Sequence, residues 1–493
     1  MSKRLPIFYS ALLLTGVNLL LRLVSTSFQV FISGRMGPAG VGLLQLVMSV
    51  GMMSMTAGMA GVRTATMYLT AEELGHQRPG NIRWVLSGCV GYSILCSGGV
   101  GILLSCFAAP IAQTWIGDLA ATPALRLFAG FLPVSCLCGV MTGYFTAANR
   151  IGTLAVVEIA EQVASMTVTM TALTFWAGTD PGRACCSVVL GGGMGGCITL
   201  LLLTILRLCH RPPAAPRISV RSRLLRVSVP LGLADDLKTG INTLENLMVP
   251  KRLGLYEGVA DPLAAFGTVS GMVFPVLMFP AAILFALAEL LIPELARCAA
   301  AGSSQRIEYL VRRSLRLAML YGCCFAGLMY LLARPLCQWL YQSSEAGTQL
   351  QTFALLIPML YCDAITDAMT KGLGQQVACV RYNILTSAMD VVGLYLLLPI
   401  LGMQGYFISF FLSHLVNFLL SLRRLIRITS VRLRLREILL CAACLLLGIW
   451  GAGTLPTSLL RGIAFVGVFF STLCLSGVLG REDLHWVRGL LRR

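Results

Sequence analysis

Charge is what this 493-residue chain has least of: Asp, Glu, Lys and Arg together make up 12% of it, against about 25% in an ordinary soluble domain. So few charges cannot cover the surface of a soluble protein of this size, which excludes a soluble enzyme and a disordered scaffold. Histidine is scarcer still. His76, His210, His414 and His485 are scattered, so no cluster has metal-ligand spacing. There is no P-loop, no GxSxG elbow and no HExxH, and nothing points to ATP hydrolysis. No cleavable leader is expected, because the first apolar run, about Pro6 to Ile32, outruns a signal h-region of about 7–15 residues.

Cysteine is plentiful, at 18 residues, but lacks the patterns that carry chemistry. The pairs Cys185-Cys186 and Cys323-Cys324 have no CxxC spacing, and most others, such as Cys89, Cys96, Cys106 and Cys362, lie inside apolar runs. There they read as small apolar side chains.

What fills the chain is hydrophobic: 57% of residues, with a mean hydropathy of +0.80. The class is an all-α polytopic membrane protein. About 20 apolar residues cross a bilayer, and that rule places fourteen spans near 6–32, 40–70, 84–110, 123–146, 152–177, 184–206, 228–250, 263–295, 315–334, 349–370, 378–401, 404–422, 437–453 and 460–479.

The basic residues sort by side. With the N-terminus inside, 28 of the 38 Lys and Arg fall in inner segments, 7 in outer ones, and Arg22, Arg63 and Lys238 within spans. That is a positive-inside distribution. It puts both termini in the cytoplasm, explains most of the +17 net charge and removes the case for a nucleic-acid partner.

Residues 209–227, a Pro- and Arg-rich linker, separate an N-lobe (1–208) from a C-lobe (228–424), and a helix pair with a basic tail follows (425–493). A basic connection near 297–316 has the character of an amphipathic helix resting on the anionic leaflet. The two lobes echo each other: FAGFLP at 128–133 corresponds to FALLIP at 353–358, and GRMG at 34–37 more weakly to KRLG at 251–254. Six spans per half make this a parallel repeat about the membrane normal, an arrangement that places a cavity between lobes.

Ionisable groups are costly in hydrocarbon, yet ten of the 21 acids lie within these spans. The seventh span holds Asp235, Asp236, Lys238 and Glu245. Asp235 and Lys238 stand at i,i+3, so an internal ion pair competes with a cation or proton site. In the eleventh, Asn383, Thr386 and Asp390 present oxygens on one face, as a hard cation needs or as a helix-helix hydrogen bond would. The tenth carries Asp363, Asp367 and Lys371. The last two form an i,i+4 pair, while Asp363 lies deeper.

GRMGPAGVGLLQL at 34–46, AGVRTA at 60–65 with Ala71-Glu72-Glu73 after it, AFGTVSGMVFPVL at 265–277 and LIPEL at 291–295 resemble the stage V sporulation protein B-like polysaccharide transporters. That family belongs to the multidrug/oligosaccharidyl-lipid/polysaccharide flippase superfamily, with the lipid II flippases and the multidrug and toxic compound extrusion antiporters. The resemblance covers about residues 5–480. It implies two six-helix lobes in a V with alternating access, plus two helices, near 437–479, forming a groove for a lipid tail. It also implies cavity arginines that meet a substrate diphosphate: Arg22 matches the first-helix position and Arg63 matches more loosely. The eighth span departs from the pattern, with Glu289 and Glu294 where arginines are expected.

The function expected is a non-enzymatic flippase for an undecaprenyl-diphosphate type of lipid-linked oligosaccharide or peptidoglycan precursor in the bacterial cytoplasmic membrane. A multidrug or organic-cation antiporter and a non-transporting assembly scaffold are the alternatives. Arg22, Arg63, Asp363 and Lys238 form the substrate-binding set. Asp235, Asp236, Asn383, Thr386 and Asp390 form the ion-coupling set, with Na⁺ or H⁺ as the coupled ion. No metal or organic cofactor is implied, and the partners are the lipid-linked substrate and membrane lipids.

Overall fold

The computed structural model describes residues 4–178, 180–208, 220–429, 431 and 435–477, with the side chains of these except 4–19, 21, 22, 151, 290 and 435. Residues 209–219 of the expected linker and the basic tail after 477 lie outside the described residues, while the rest of the linker, from Arg221, is already helical as the start of α7. The described chain folds into α-helices with short π and 3-10 turns and no strand. Lipid imposes this, since it offers no partner to a free backbone N–H or C=O. The chain divides into two compact units, residues 1–267 and 268–493.

The first unit holds eight helices: α1 (Arg4–Met59), α2 (Val62–Gly75), α3 (Ile82–Ile111), α4 (Thr122–Ala147), α5 (Ile151–Ala172), α6 (Pro181–Leu208), α7 (Arg221–Leu253) and α8 (Pro262–Gly267). α1 runs through the first expected span into the second, interrupted at Gly37, whose φ of 69° and ψ of 174° are not helical. Glycine adopts that conformation without a Cβ penalty, and Pro38 then opens the second rod with its φ already set.

A second break follows at Ala60 (φ 41°) and Gly61 (φ 71°). Here α7 crosses in backbone contact: a Cβ on Gly232 would stand 2.7 Å from the Ala60 carbonyl carbon. α7, expected to open the second lobe, therefore groups with the first unit. It packs on α1 and α2, and Val220 and Leu224 enter the buried cluster of Val62, Leu69, Leu86 and Val140.

α5 and α6 pack through small residues. A Cβ on Gly191 would lie 2.7 Å from the Ser165 carbonyl oxygen, and one on Gly195 3.1 Å from that of Glu161. Close backbone approach of this kind replaces hydrophobic driving force between helices in lipid.

The second unit holds α9 (Phe274–Met278), α10 (Ala281–Ala300), α11 (Ser304–Tyr341), α12 (Ser344–Ala354), α13 (Ile357–Gly372), α14 (Gln376–Leu401), α15 (Met403–Thr429), α16 (Leu435–Gly453) and α17 (Ser458–Leu475). α13 packs on α10, α11 and α15, and α14 on α15. The C-terminal pair α16 and α17 closes on α11 around Cys323, Cys441, Cys444, Phe465 and Phe469. The described cysteines are free thiols, and all but the exposed Cys106 and Cys474 are buried or half-buried, as apolar fillers would be.

Nine helices among the described residues are long and apolar enough to cross a membrane, or up to eleven if each of two bent pairs is one span, against the fourteen expected. Three causes of the difference are visible. The first two expected spans run together through the kinked α1, α7 carries Asp235, Asp236, Lys238 and Glu245, and α5, the fifth expected span, is not among the qualifying helices. The repeated FAxxxP motif also has two outcomes. At 128–133 it lies inside continuous α4; at 353–358 it falls on a 57° bend between α12 and α13.

Candidate functional site

Each unit holds a polar centre within its helices. In the first, α7 meets α1 along one face. Thr243 donates to the Ser49 carbonyl at 3.1 Å, Asn246 Nδ2 to Ser49 Oγ at 2.9 Å, and the Thr56 hydroxyl to Thr239 Oγ1 at 3.3 Å. Asp236, Thr239, Thr243 and Asn246 stand at i, i+3, i+7 and i+10, which one helix face collects. Asp236 is half-buried beside Tyr92, and its Oδ1 is buried without a hydrogen-bond partner among the described residues.

Asp235 and Lys238 project from α7 as exposed residues, and no ion pair joins them among the described residues. The internal ion pair that their i,i+3 spacing allows is thus not formed among the described residues. Lys238 keeps its charge free for another partner.

Arg63 begins α2, exposed, where Gly139 and Gly143 of α4 let α2 approach closely. It acts electrostatically on Glu158 of α5. Glu161, a turn later, accepts from the Thr199 hydroxyl at 2.6 Å. Gln162 on the same helix donates to Ser25 of α1 at 3.2 Å. Arg22 lies one turn before Ser25, and its side chain is outside the described residues.

At the end of the unit where α2 stops and α7 starts, Arg223 forks across two acids. Nη1 meets Glu73 Oε1 and Nη2 meets Glu72 Oε2, both at 2.8 Å. Asn81, the residue before α3, donates to the other oxygen of Glu73 at 2.8 Å. The hydrogen bonds to Glu72 and Glu73 raise the Arg223 pKa still further, so this guanidinium is always charged.

In the second unit, Asp363 of α13 is buried. One amide of α15, Asn417 Nδ2, reaches both its oxygens at 3.1 and 3.2 Å, and His414 Nδ1 stands 3.4 Å from Oδ2. Phe410 packs against His414 with ring centroids 4.4 Å apart and the planes tilted by 54°. Asp390 of α14 is buried too, and accepts from the Ser409 hydroxyl of α15 at 2.6 Å.

Thr386 spends its proton on its own helix, donating to the Tyr382 carbonyl at 2.9 Å, which leaves its oxygen lone pairs as acceptors. Asn383 is half-buried one turn before it. Asp367 and Lys371 form the predicted i,i+4 pair at 2.6 Å. No group of three or more His, Cys, Asp or Glu that could hold a metal occurs among the described residues.

Ser409, His414 and Asn417 were not anticipated. The signal was present: Ser409, Ser413, Asn417 and Ser421 recur every fourth residue in an apolar helix, and all four are buried. The α7 stripe of Thr239, Thr243 and Asn246 had the same kind of periodicity, hidden beside louder charges.

Comparison with known proteins gives four matches. The MatE family profile matches residues 14–171. Over 460 residues the chain is 22% identical to the stage V sporulation protein B of Bacillus subtilis (strain 168), covering 88% of this chain and 86% of that protein. Among solved structures, the lipid II flippase MurJ in its inward closed conformation aligns with a TM-score of 0.73 at 10% identity, covering 94% of this chain and 98% of that one. An inward-facing multidrug resistance MATE family transporter of the MOP superfamily aligns at 0.66 and 14% identity, covering 85% and 100%.

Proposed function

We propose that this chain, a multi-pass membrane protein with the fold of the MOP superfamily transporters, is a flippase. It moves a lipid-linked oligosaccharide or peptidoglycan precursor of the undecaprenyl-diphosphate type across the bacterial cytoplasmic membrane by alternating access. The observation that carries this reading is the likeness to a stage V sporulation protein B over 88% of the chain. The lipid II flippase covers 94% of the chain, against 85% for the multidrug transporter, and this favours the flippase over the antiporter.

Moving such a substrate needs fixed cations for the diphosphate and a path that keeps the tail in lipid. Arg22, Arg63 and Lys238 supply the cations. Guanidinium is suited to this because its planar fork matches two phosphate oxygens at once. Asp363 leaves the substrate set in this reading, since it is 7% exposed and already bonded by Asn417. It joins Asp235, Asp236, Asn383, Thr386 and Asp390 as a coupling residue for H⁺ or Na⁺, with His414 and Asn417 as its partners. The charge split supports a cytoplasmic location for both termini.

Reconstituted flipping of a fluorescent undecaprenyl-diphosphate sugar tests the reading. Arg22→Ala and Arg63→Ala should each slow flipping, and a collapsed ion gradient should slow the unmodified protein. Unchanged flipping in the double variant would remove the diphosphate role. Efflux of cationic drugs with no lipid flipping would establish the antiporter instead.

A further inference from the structure

We propose that the first unit carries a binding site for an anionic glycerophospholipid, in a crevice between α3 and the start of α7. It is distinct from the residues assigned to transport and does not depend on that assignment. The crevice has a volume of about 890 Å³, within the ~300–1,000 Å³ of small-molecule sites. Its α3 wall runs from Trp84 to Leu95, which is about 16 Å at 1.5 Å per residue. One leaflet of hydrocarbon, half of a ~30 Å core, is about as deep.

The wall is opened by glycine. A Cβ on Gly91 would meet nothing within 4 Å, and one on Gly88 only the Val220 side chain, at 3.7 Å. At the far end Leu95 is 76% exposed. This is a slot for an acyl chain.

The other end is cationic. Arg221, the first residue of α7, lines the mouth, and no side chain caps that helix start, so its positive dipole end faces the same place. The Arg83 guanidinium lies over the Trp84 ring at 5.8 Å. Neither Arg83 nor Arg221 has a carboxylate partner among the described residues, whereas Arg223 nearby is committed to Glu72 and Glu73. Tryptophan at this level is the usual marker of the membrane-water boundary.

A leaflet-deep apolar slot with the Arg221 guanidinium at its mouth and that of Arg83 beside the lining Trp84 fits an amphiphile whose head is anionic. A free phosphate would leave the slot empty, and a zwitterionic head would leave the charge unmatched. The positive-inside distribution puts the mouth at the cytoplasmic leaflet, where anionic lipids are concentrated.

Native mass spectrometry of the full chain in detergent, titrated with phosphatidylglycerol or phosphatidylcholine, is the test. The unmodified protein should prefer phosphatidylglycerol by about tenfold or more, the scale of charge-assisted contacts. Arg83→Ala with Arg221→Ala should abolish the preference. Gly91→Phe, which fills open space, should weaken both lipids while thermal unfolding stays unchanged. A double variant that keeps the preference, a Gly91→Phe variant that binds as before, or an unmodified protein with no preference would each overturn the site. So would displacement of phosphatidylglycerol by undecaprenyl diphosphate, which would make the crevice a transport subsite.

Discussion

Removing the Arg223 side chain should loosen α7 from α2 by a measurable and divisible amount. The side chains of Arg223 and Glu72 are 37% and 35% exposed, so their bond is worth the ~0–1 kcal/mol of a surface pair. Glu73 is different, with 4% exposure. A hydrogen bond to a charged group contributes about 1.5–3 kcal/mol, and the low end applies here because Asn81 still holds one oxygen and water reaches Arg223.

Arg223→Ala should therefore destabilise the protein by about 2 kcal/mol. Arg223→Lys should cost about half of that, since one ammonium cannot span both carboxylates. Denaturant unfolding in detergent micelles reads these values, and a double-mutant cycle with Glu73→Gln isolates the buried half. Raising the salt should shrink the Glu72 contribution and leave the Glu73 coupling largely intact. A cycle energy near zero, or Arg223→Ala within about 0.5 kcal/mol of the parent as surface changes commonly are, would refute the assignment of Glu73 as the buried partner.

Other outcomes follow from the same coordinates. Gly195→Leu should destabilise by about 1–3 kcal/mol through overpacking of α5 against α6, visible as a lower unfolding midpoint, whereas Gly192→Leu, with nothing within 4 Å of its Cβ, should not. Asn417→Ala withdraws the donor from a buried carboxylate and should cost about 1.5–3 kcal/mol, measured by the same unfolding; Asp363→Asn in that background should recover part of it. Asp390→Ala removes the carboxylate acceptor of the Ser409 hydroxyl but leaves the Asp390 backbone carbonyl 3.1 Å away to accept it, so the cost should be the ~0.5–1.5 kcal/mol of one hydrogen bond, and the Asp390→Ala/Ser409→Ala pair should be less than additive. If the coupling assignment holds, Asp390→Ala should also slow gradient-driven flipping more than downhill exchange in the reconstituted assay.

The sequence by itself determined the solvent, the class and much of the inventory. A chain with 12% charge has to be covered by lipid, and lipid permits only helices or closed barrels. The uninterrupted apolar runs then select helices. Helical spacing also located the Asp367–Lys371 pair, because that contact is one turn long and needs no other helix. It could not locate the centre at Asp363. His414 and Asn417 reach Asp363 from 51 and 54 positions away, and only the packing of α15 on α13 makes them neighbours. The same limit hid the fate of Asp235 and Lys238. Their spacing allows a pair, but whether it forms depends on which face of α7 is turned to α1, and the Thr239, Thr243 and Asn246 contacts decided that. Periodicity fixes which residues share a face. What that face meets is set by helix-helix packing, and in this protein by glycines such as Gly61, Gly191 and Gly232 that let backbones touch.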